Sequence, residues 1–296
     1  MGYSGPKLCP PRVASHLLLA IIASLAAGAP GCGGSDPLVP AHSASFDPVR
    51  AVGDNGAPVS KLHWVRRING GQPIAAMSDP SVSIQFSDSD VTAEDDVVTS
   101  TVDGTVFVNG AAVGHESARS IDHVSPGSSP ATVGEEDDTF TVSVTMSGVQ
   151  MTENQMLKYL YTPPLSNFDR DDLDSMPVGT AGSFTSQAVV SGSVTATETG
   201  QSPDTETVSE TIPILANWTI ADKLSTFQVL GQDYANVVVI LTTSSATNST
   251  TGMTAEIDTK SWFAKGIGPI RTEQSGASLD VAETLILELV STNLVP

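Results

Sequence analysis

The chain has 296 residues, with 33 acidic against 13 basic ones and a formal net charge of −20. So negative a surface repels phosphate backbones and anionic headgroups, which sets nucleic acid aside as a partner and favours solubility. Two cysteines in all exclude a disulfide framework, and the length fits one large or two smaller domains.

Residues 1–31 carry Lys7 and Arg12 and no acidic residue. An unbroken small and apolar run, Leu17–Ala27, follows, and Gly28-Ala29-Pro30-Gly31 then leads to Cys32. A charged start, a short apolar centre and a small-residue end are the three parts of a secretory signal. At about 1.5 Å per residue, the run reaches about half of the ~30 Å hydrocarbon core, so it is too short to span a bilayer. Removing Lys7 and Arg12 from the 13 basic residues leaves 11 against 33 acidic ones, a mature net charge near −22.

Cys32, with Leu25, Ala29 and Gly31 ahead of it, resembles the lipobox of bacterial lipoproteins. The pattern departs at Ala29, where leucine is usual, and at Pro30. The resemblance implies cleavage before Cys32 and lipid on its thiol, where two or more acyl chains give stable anchoring to a membrane. By the same resemblance, Gly33 in place of aspartate at the second mature position implies the outer membrane. Cys9 lies in the leader, so the mature chain keeps one thiol at its very start, where an acyl acceptor is a better reading than a catalytic group.

These signals divide the chain into a signal peptide over 1–31, a flexible tether over 32–60 rich in Gly, Pro, Ser and Ala, and β regions over 61–149 and 150–296. A single sheet running through both β regions is the alternative to two domains. The fold class expected is all-β, an antiparallel half-barrel, barrel or sandwich with one short helix.

The strand signals come in chain order. Val82, Ile84 and Phe86 alternate with polar residues, and Val97–Val113 holds two tight-turn dipeptides, Asp103-Gly104 and Asn109-Gly110, which predict a three-stranded meander. Thr139–Ser147 alternates strictly, with Phe140, Val142, Val144 and Met146 on one face. The helix is predicted after Thr152 and Gln155, a capping-box pair, with Met156, Tyr159 and Leu160 at helical spacing and Pro163-Pro164 as its stop.

Ala188–Thr199 and Glu206–Ile214 read as the arms of a hairpin. Tyr234–Thr242 is continuously apolar at its centre, which predicts a strand buried on both faces. Met253–Ala264, Ile270–Gln274 and Leu279–Val290 complete the set. Two acidic runs, Glu135–Asp138 and Asp169–Asp174, are expected in connecting segments.

Candidate chemistry is sparse. His115-Glu116 with Asp122-His123 groups metal-type side chains, but the spacing fits neither a His-Glu-x-x-His helix nor a Cys/His finger, so these read as solvated loop residues. In the run from Asn167 to Asp174, Asn167, Asp169 and Asp171 place oxygens at alternate positions as calcium loops do, yet Asp172 stands where such a loop needs glycine and Val178 where it needs glutamate. No metal site and no cofactor is therefore expected.

The sequence has no Gly-x-Ser-x-Gly elbow, no Ser-x-x-Lys beyond the leader and no phosphate-binding glycine loop, and no catalytic residue is assigned. Four histidines remain after cleavage, His42, His63, His115 and His123. Asn217-Trp-Thr219 and Asn248-Ser-Thr250 match the glycosylation pattern, and the bacterial source that the resemblance at Cys32 implies makes them incidental.

The stretch from Trp262 to Ile270, with Met176–Thr180 and Phe227–Ile240, resembles uncharacterised exported bacterial lipoproteins, some of them similar to the half-barrels of lipoprotein carriers. The resemblance covers 159–290 and carries over no functional residue. Three function classes follow: a non-catalytic lipid-anchored envelope protein acting through protein contacts, a carrier holding an apolar or lipid-like ligand in a groove, and an exported hydrolase. The first is the reading preferred. A hydrolase would gather carboxylates or histidines from distant segments, with His115, His123 and the acidic runs the first to examine.

Overall fold

The structure is a computed structural model and describes residues 39–40, 60–67, 74–75, 82–94, 97–124, 132–166, 173–247, 254–265, 267–276, 285–292 and 294–295. Cys32, most of the tether, the Asn167–Asp172 stretch and Asn248 lie outside the described residues. Among the described residues there is strand and turn but no helix. In chain order the strands are β1 (Val39–Pro40), β2 (Ser60–Arg67), β3 (Ile74–Ala75), β4 (Val82–Glu94) and β5 (Val97–Val108). There follow β6 (Ala111–Val124), β7 (Thr132–Met146), β8 (Val149–Ser166), β9 (Ala181–Glu198) and β10 (Asp204–Val229). The last five are β11 (Gln232–Thr247), β12 (Thr254–Ala264), β13 (Gly268–Ser275), β14 (Leu285–Thr292) and β15 (Leu294–Val295).

From β4 to β14 every strand pairs antiparallel with the next, giving one eleven-strand sheet in sequence order. β4 and β14 do not pair with each other, so this sheet does not close on itself. β2 lies against both: its Arg67 and Leu62 stand opposite Ile286 and Thr292 of β14, and its Ser60 and Trp64 opposite Ala93 and Ser89 of β4. A strand placed there satisfies ladder groups that two open edges would otherwise offer to other chains. β1 and β15 form a separate parallel pair.

Two-residue turns build much of this meander. Asn109 and Gly110 have φ of 51° and 80°, the paired positive values of a type I′ hairpin. Ser147-Gly148 and Leu230-Gly231 repeat them between β7 and β8 and between β10 and β11. Asp103-Gly104 does not turn. Both residues lie inside β5, paired on one side with Ser117 and Glu116 of β6 and on the other with Asp88 and Phe86 of β4. Ladder bonds to both neighbours outweigh the local turn preference.

The helix expected after Thr152 is strand instead. Within β8, Gln155, Leu157, Tyr159 and Tyr161 are buried while Met156, Lys158 and Leu160 are exposed. This is a period of two, which sends Met156 and Tyr159 to opposite faces and defeats the helical spacing read from Met156, Tyr159 and Leu160. Pairing with β7 and β9 along most of its length fixes the extended form.

The run Glu135–Asp138 is likewise no connecting segment but part of β7.

Tyr159, Tyr161, Val190, Ile212, Ile214 and Ile257 belong to the largest apolar cluster. Val237–Ile240 of β11 are all buried, and alternate side chains enter different clusters. Val237 and Val239 join Trp262, Leu287 and Leu289, while Val238 and Ile240 join Leu173, Ile220 and Phe263. The cluster of Val238 and Ile240 is completed by Leu173 and Met176 from the segment between β8 and β9. There the Gly179 N–H donates to the Ile220 carbonyl and the Ile220 N–H to the Thr180 carbonyl, both at 2.8 Å. The Lys223 ammonium donates to the Asp174 carbonyl at 2.7 Å, and Lys265 bonds the Asp174 carboxylate. Double burial is confined to Val237–Ile240 at the centre of the Tyr234–Thr242 stretch, while Ala235, Asn236 and Leu241 are exposed.

Candidate functional site

β6, β7 and β8 lie side by side, and their alternation sorts the polar residues of the region onto two faces. Asp122 stands opposite Glu136, Ser120 opposite Asp138, and Glu136 opposite Tyr159. These side chains share the buried face, with Glu116 and Gln155 buried on the same strands. Their sequence neighbours His123, Glu135, Asp137 and Lys158 take the other face.

On the buried face, Glu136 is fully enclosed and receives two hydroxyl donors. Ser120 Oγ donates to Glu136 Oε1 at 3.0 Å, and the Tyr161 hydroxyl donates to Oε2. Tyr161 stacks on Tyr159 with ring centroids 6.3 Å apart and planes 7° from parallel. Asp122 and Asp138 are less well provided: among the described residues, Asp122 Oδ1 and both oxygens of Asp138 are buried without a hydrogen-bond partner. Burial foremost, and the Glu136 charge next, push the Asp122 and Asp138 carboxyls well above the usual carboxylate range. The Ser120 hydroxyl acts the other way on both. It has one proton to give and places it on Glu136, so this opposing influence is the smaller. Burial also raises both Tyr159 and Tyr161 well above the usual phenol range, with the neighbouring carboxylates adding to it.

On the exposed face, His123 Nε2 lies 3.2 Å from Asp137 Oδ2. Lys158 bonds Glu135 and lies 3.9 Å from Asp137 Oδ1. One ligand-type atom from each of His123, Glu135 and Asp137 falls within 4.8 Å of the others, so these three have the geometry to hold a metal ion, with the Lys158 ammonium already among them.

The structure therefore divides the sequence candidates. His115-Glu116 and Asp122-His123 are strand residues of β6, not loop residues. Eight positions along a strand, at about 3.4 Å each, separate the two histidines by about 27 Å, so they do not form one site. His115 Nε2 instead lies 3.2 Å from Asp103 Oδ1 on the exposed face. Asp174, the end of the second acidic run, holds Lys223 and Lys265 as described above. The sequence patterns do not single out Ser120 or Tyr161, and they give Tyr159 only as part of the expected helix. Extending the Phe140, Val142, Val144 alternation backwards along the strand would have placed Glu136 and Asp138 on the apolar face and pointed to their partners.

No protein-family model matches the chain, and no curated protein does. Among solved structures, the hypothetical lipoprotein YmcC from Escherichia coli K12 aligns over 81% of this chain and 90% of its own, at 12% identity and a TM-score of 0.29.

Proposed function

We propose that this chain is an exported protein held to the cell envelope, at the outer membrane, by lipid on Cys32, and that it works through contacts of its sheet with another protein and not by catalysis. The leader and the cysteine that ends it support the anchor. The observation that supports the contact is an apolar group on the exposed face of β8 and β9. Leu160 and Val189 stand directly opposite each other and are 50% and 45% exposed, and Met156, on the same face of β8, is 62% exposed. The facing pair Leu160 and Val189 on an otherwise Ser/Thr-rich, charged face, with Met156 farther along beyond Lys158, supports a contact surface.

One observation favours a second reading, an exported hydrolase. Asp122 and Asp138 come from different strands and have carboxyls raised by burial, as a general acid requires. Their partnerless oxygens are shut off from solvent, which keeps a substrate from them and leaves this reading second. An apolar ligand on this face, as a carrier would hold, would lie against carboxylates and leave them desolvated.

The test expresses the full chain and its Cys32→Ser variant in a bacterial host, with a photocrosslinking residue at Val189 or, as control, at Glu206. The expected result is membrane recovery that depends on Cys32 and a discrete adduct from Val189 alone. Membrane recovery of Cys32→Ser would sink the anchor, and an adduct-free Val189 would sink the contact surface.

A further inference from the structure

The exposed face of β6, β7 and β8 carries a row of charged side chains at one level of the sheet. His123 of β6 stands directly opposite Glu135 of β7, Asp137 lies two places along on the same face of β7, and Lys158 of β8 stands opposite Asp137. One ligand-type atom from each of His123, Glu135 and Asp137 lies within 4.8 Å of the other two. At 3.2 Å, His123 Nε2 and Asp137 Oδ2 need a positive centre between them, which a proton or a metal ion supplies.

We infer that His123, Glu135 and Asp137 form a surface site for one zinc-class divalent ion, which takes the place of the Lys158 ammonium. The donor set selects the metal: an imidazole nitrogen suits zinc, whereas calcium and magnesium take sets made of oxygens. Zinc holds such atoms at about 2.0–2.2 Å, so two ligands of a tetrahedral site stand about 3.4 Å apart. His123 and Asp137 are already that close, and rotation of the Glu135 side chain on a face open to water brings in the third ligand.

Lys158 bonds Glu135 and lies 3.9 Å from Asp137 Oδ1, so a cation already rests on these carboxylates. Its ion pairs are exposed to water and therefore weak, and a doubly charged ion met by three ligands at once outweighs them. Three protein ligands leave zinc an open fourth position. It faces the side of the sheet that carries Leu160, the cross-strand partner of Glu135. Neither the anchor at Cys32 nor the contact surface is needed for the ion to bind.

The experiment uses the full chain without a histidine tag, in detergent, with its thiols alkylated and bound metal stripped by chelator. It is titrated calorimetrically with zinc chloride and with calcium chloride. One zinc per chain is expected, and no uptake of calcium at the same concentration. His123→Gln and Asp137→Asn should each bind zinc at least about tenfold more weakly, through loss of a ligand. Lys158→Met should bind it up to about fivefold more tightly, since an exposed ion pair is all that zinc no longer displaces. His115→Gln should match the unaltered chain, because His115 pairs with Asp103 elsewhere on the sheet.

An unaltered chain that takes up no zinc overturns the inference and leaves the row a surface ion-pair network. Zinc binding that survives both His123→Gln and Asp137→Asn, or that His115→Gln removes, also overturns it by placing the ion elsewhere. If one of the two ligand variants fails to fold, the other decides by the same criterion.

Discussion

Asp122 of β6 and Glu136 of β7 stand directly opposite each other with both side chains buried. Two acidic residues at facing positions repel, and Asp138 adds a third two places along. The arrangement therefore strains the fold. Asp138→Asn should be more stable than the unaltered chain at neutral pH, because an amide of the same shape has no charged form to bury and supplies a donor. The expected gain is about 1 kcal/mol, or about 2–4 °C in Tm for a domain of this size. Calorimetric scans check it, and a lower Tm would show that the carboxylate makes bonds the amide cannot replace.

Tyr161 has the opposite sign. Its hydroxyl donates to Glu136 Oε2 inside the fold, so Tyr161→Phe leaves a buried acceptor short of a donor. The expected loss is about 1–3 kcal/mol, read as a lower urea midpoint at unchanged slope. A midpoint within error of the unaltered chain would mean that another donor takes over.

Tyr159 and Tyr161 should also stay protonated in alkali. Burial raises both phenols well above the usual value of 10.0, so the folded chain holds these protons more tightly than the unfolded one. The stability they contribute is fully present below pH 10 and is lost as pH climbs from there toward their raised folded values. Ultraviolet titration should show both ionising only with global unfolding. Their ionisation at ordinary phenol pH in folded protein would contradict their burial.

Gly192 of β9 is held by its neighbour strand. A Cβ there would stand 2.0 Å from the Met156 carbonyl oxygen, and its φ is 155°. Gly192→Ala must push β8 and β9 apart, with an expected cost of about 1–3 kcal/mol or more. Gly134→Ala, where a Cβ meets nothing within 4 Å, should stay within about 0.5 kcal/mol. Equal effects in thermal melts would mean that the strand spacing is not what Gly192 protects.

Local chemistry made the strands of this protein legible without coordinates. Asn109-Gly110 had to turn because both residues accept positive φ, and Phe140, Val142 and Val144 had to share a face because a strand alternates. Tyr234–Thr242 read as doubly buried for want of polar residues at its centre. The candidate lipidation at Cys32 likewise belongs wholly to the sequence.

Tertiary structure alone decided the rest. Asp103-Gly104 has turn chemistry and β8 has helix spacing, but ladder bonds with strands on both sides outweigh such local preferences. Only strand register could bring Asp122 to Glu136, fourteen residues on, or Tyr161 to the same carboxylate, twenty-five residues away. A run of four acids looks like a solvated turn until its strand neighbours are known. Pairing with β6 and β8 then divides Glu135 and Asp137 from Glu136 and Asp138, with the first two half in water and the others enclosed, because side chains of a strand alternate between faces that differ in access to solvent.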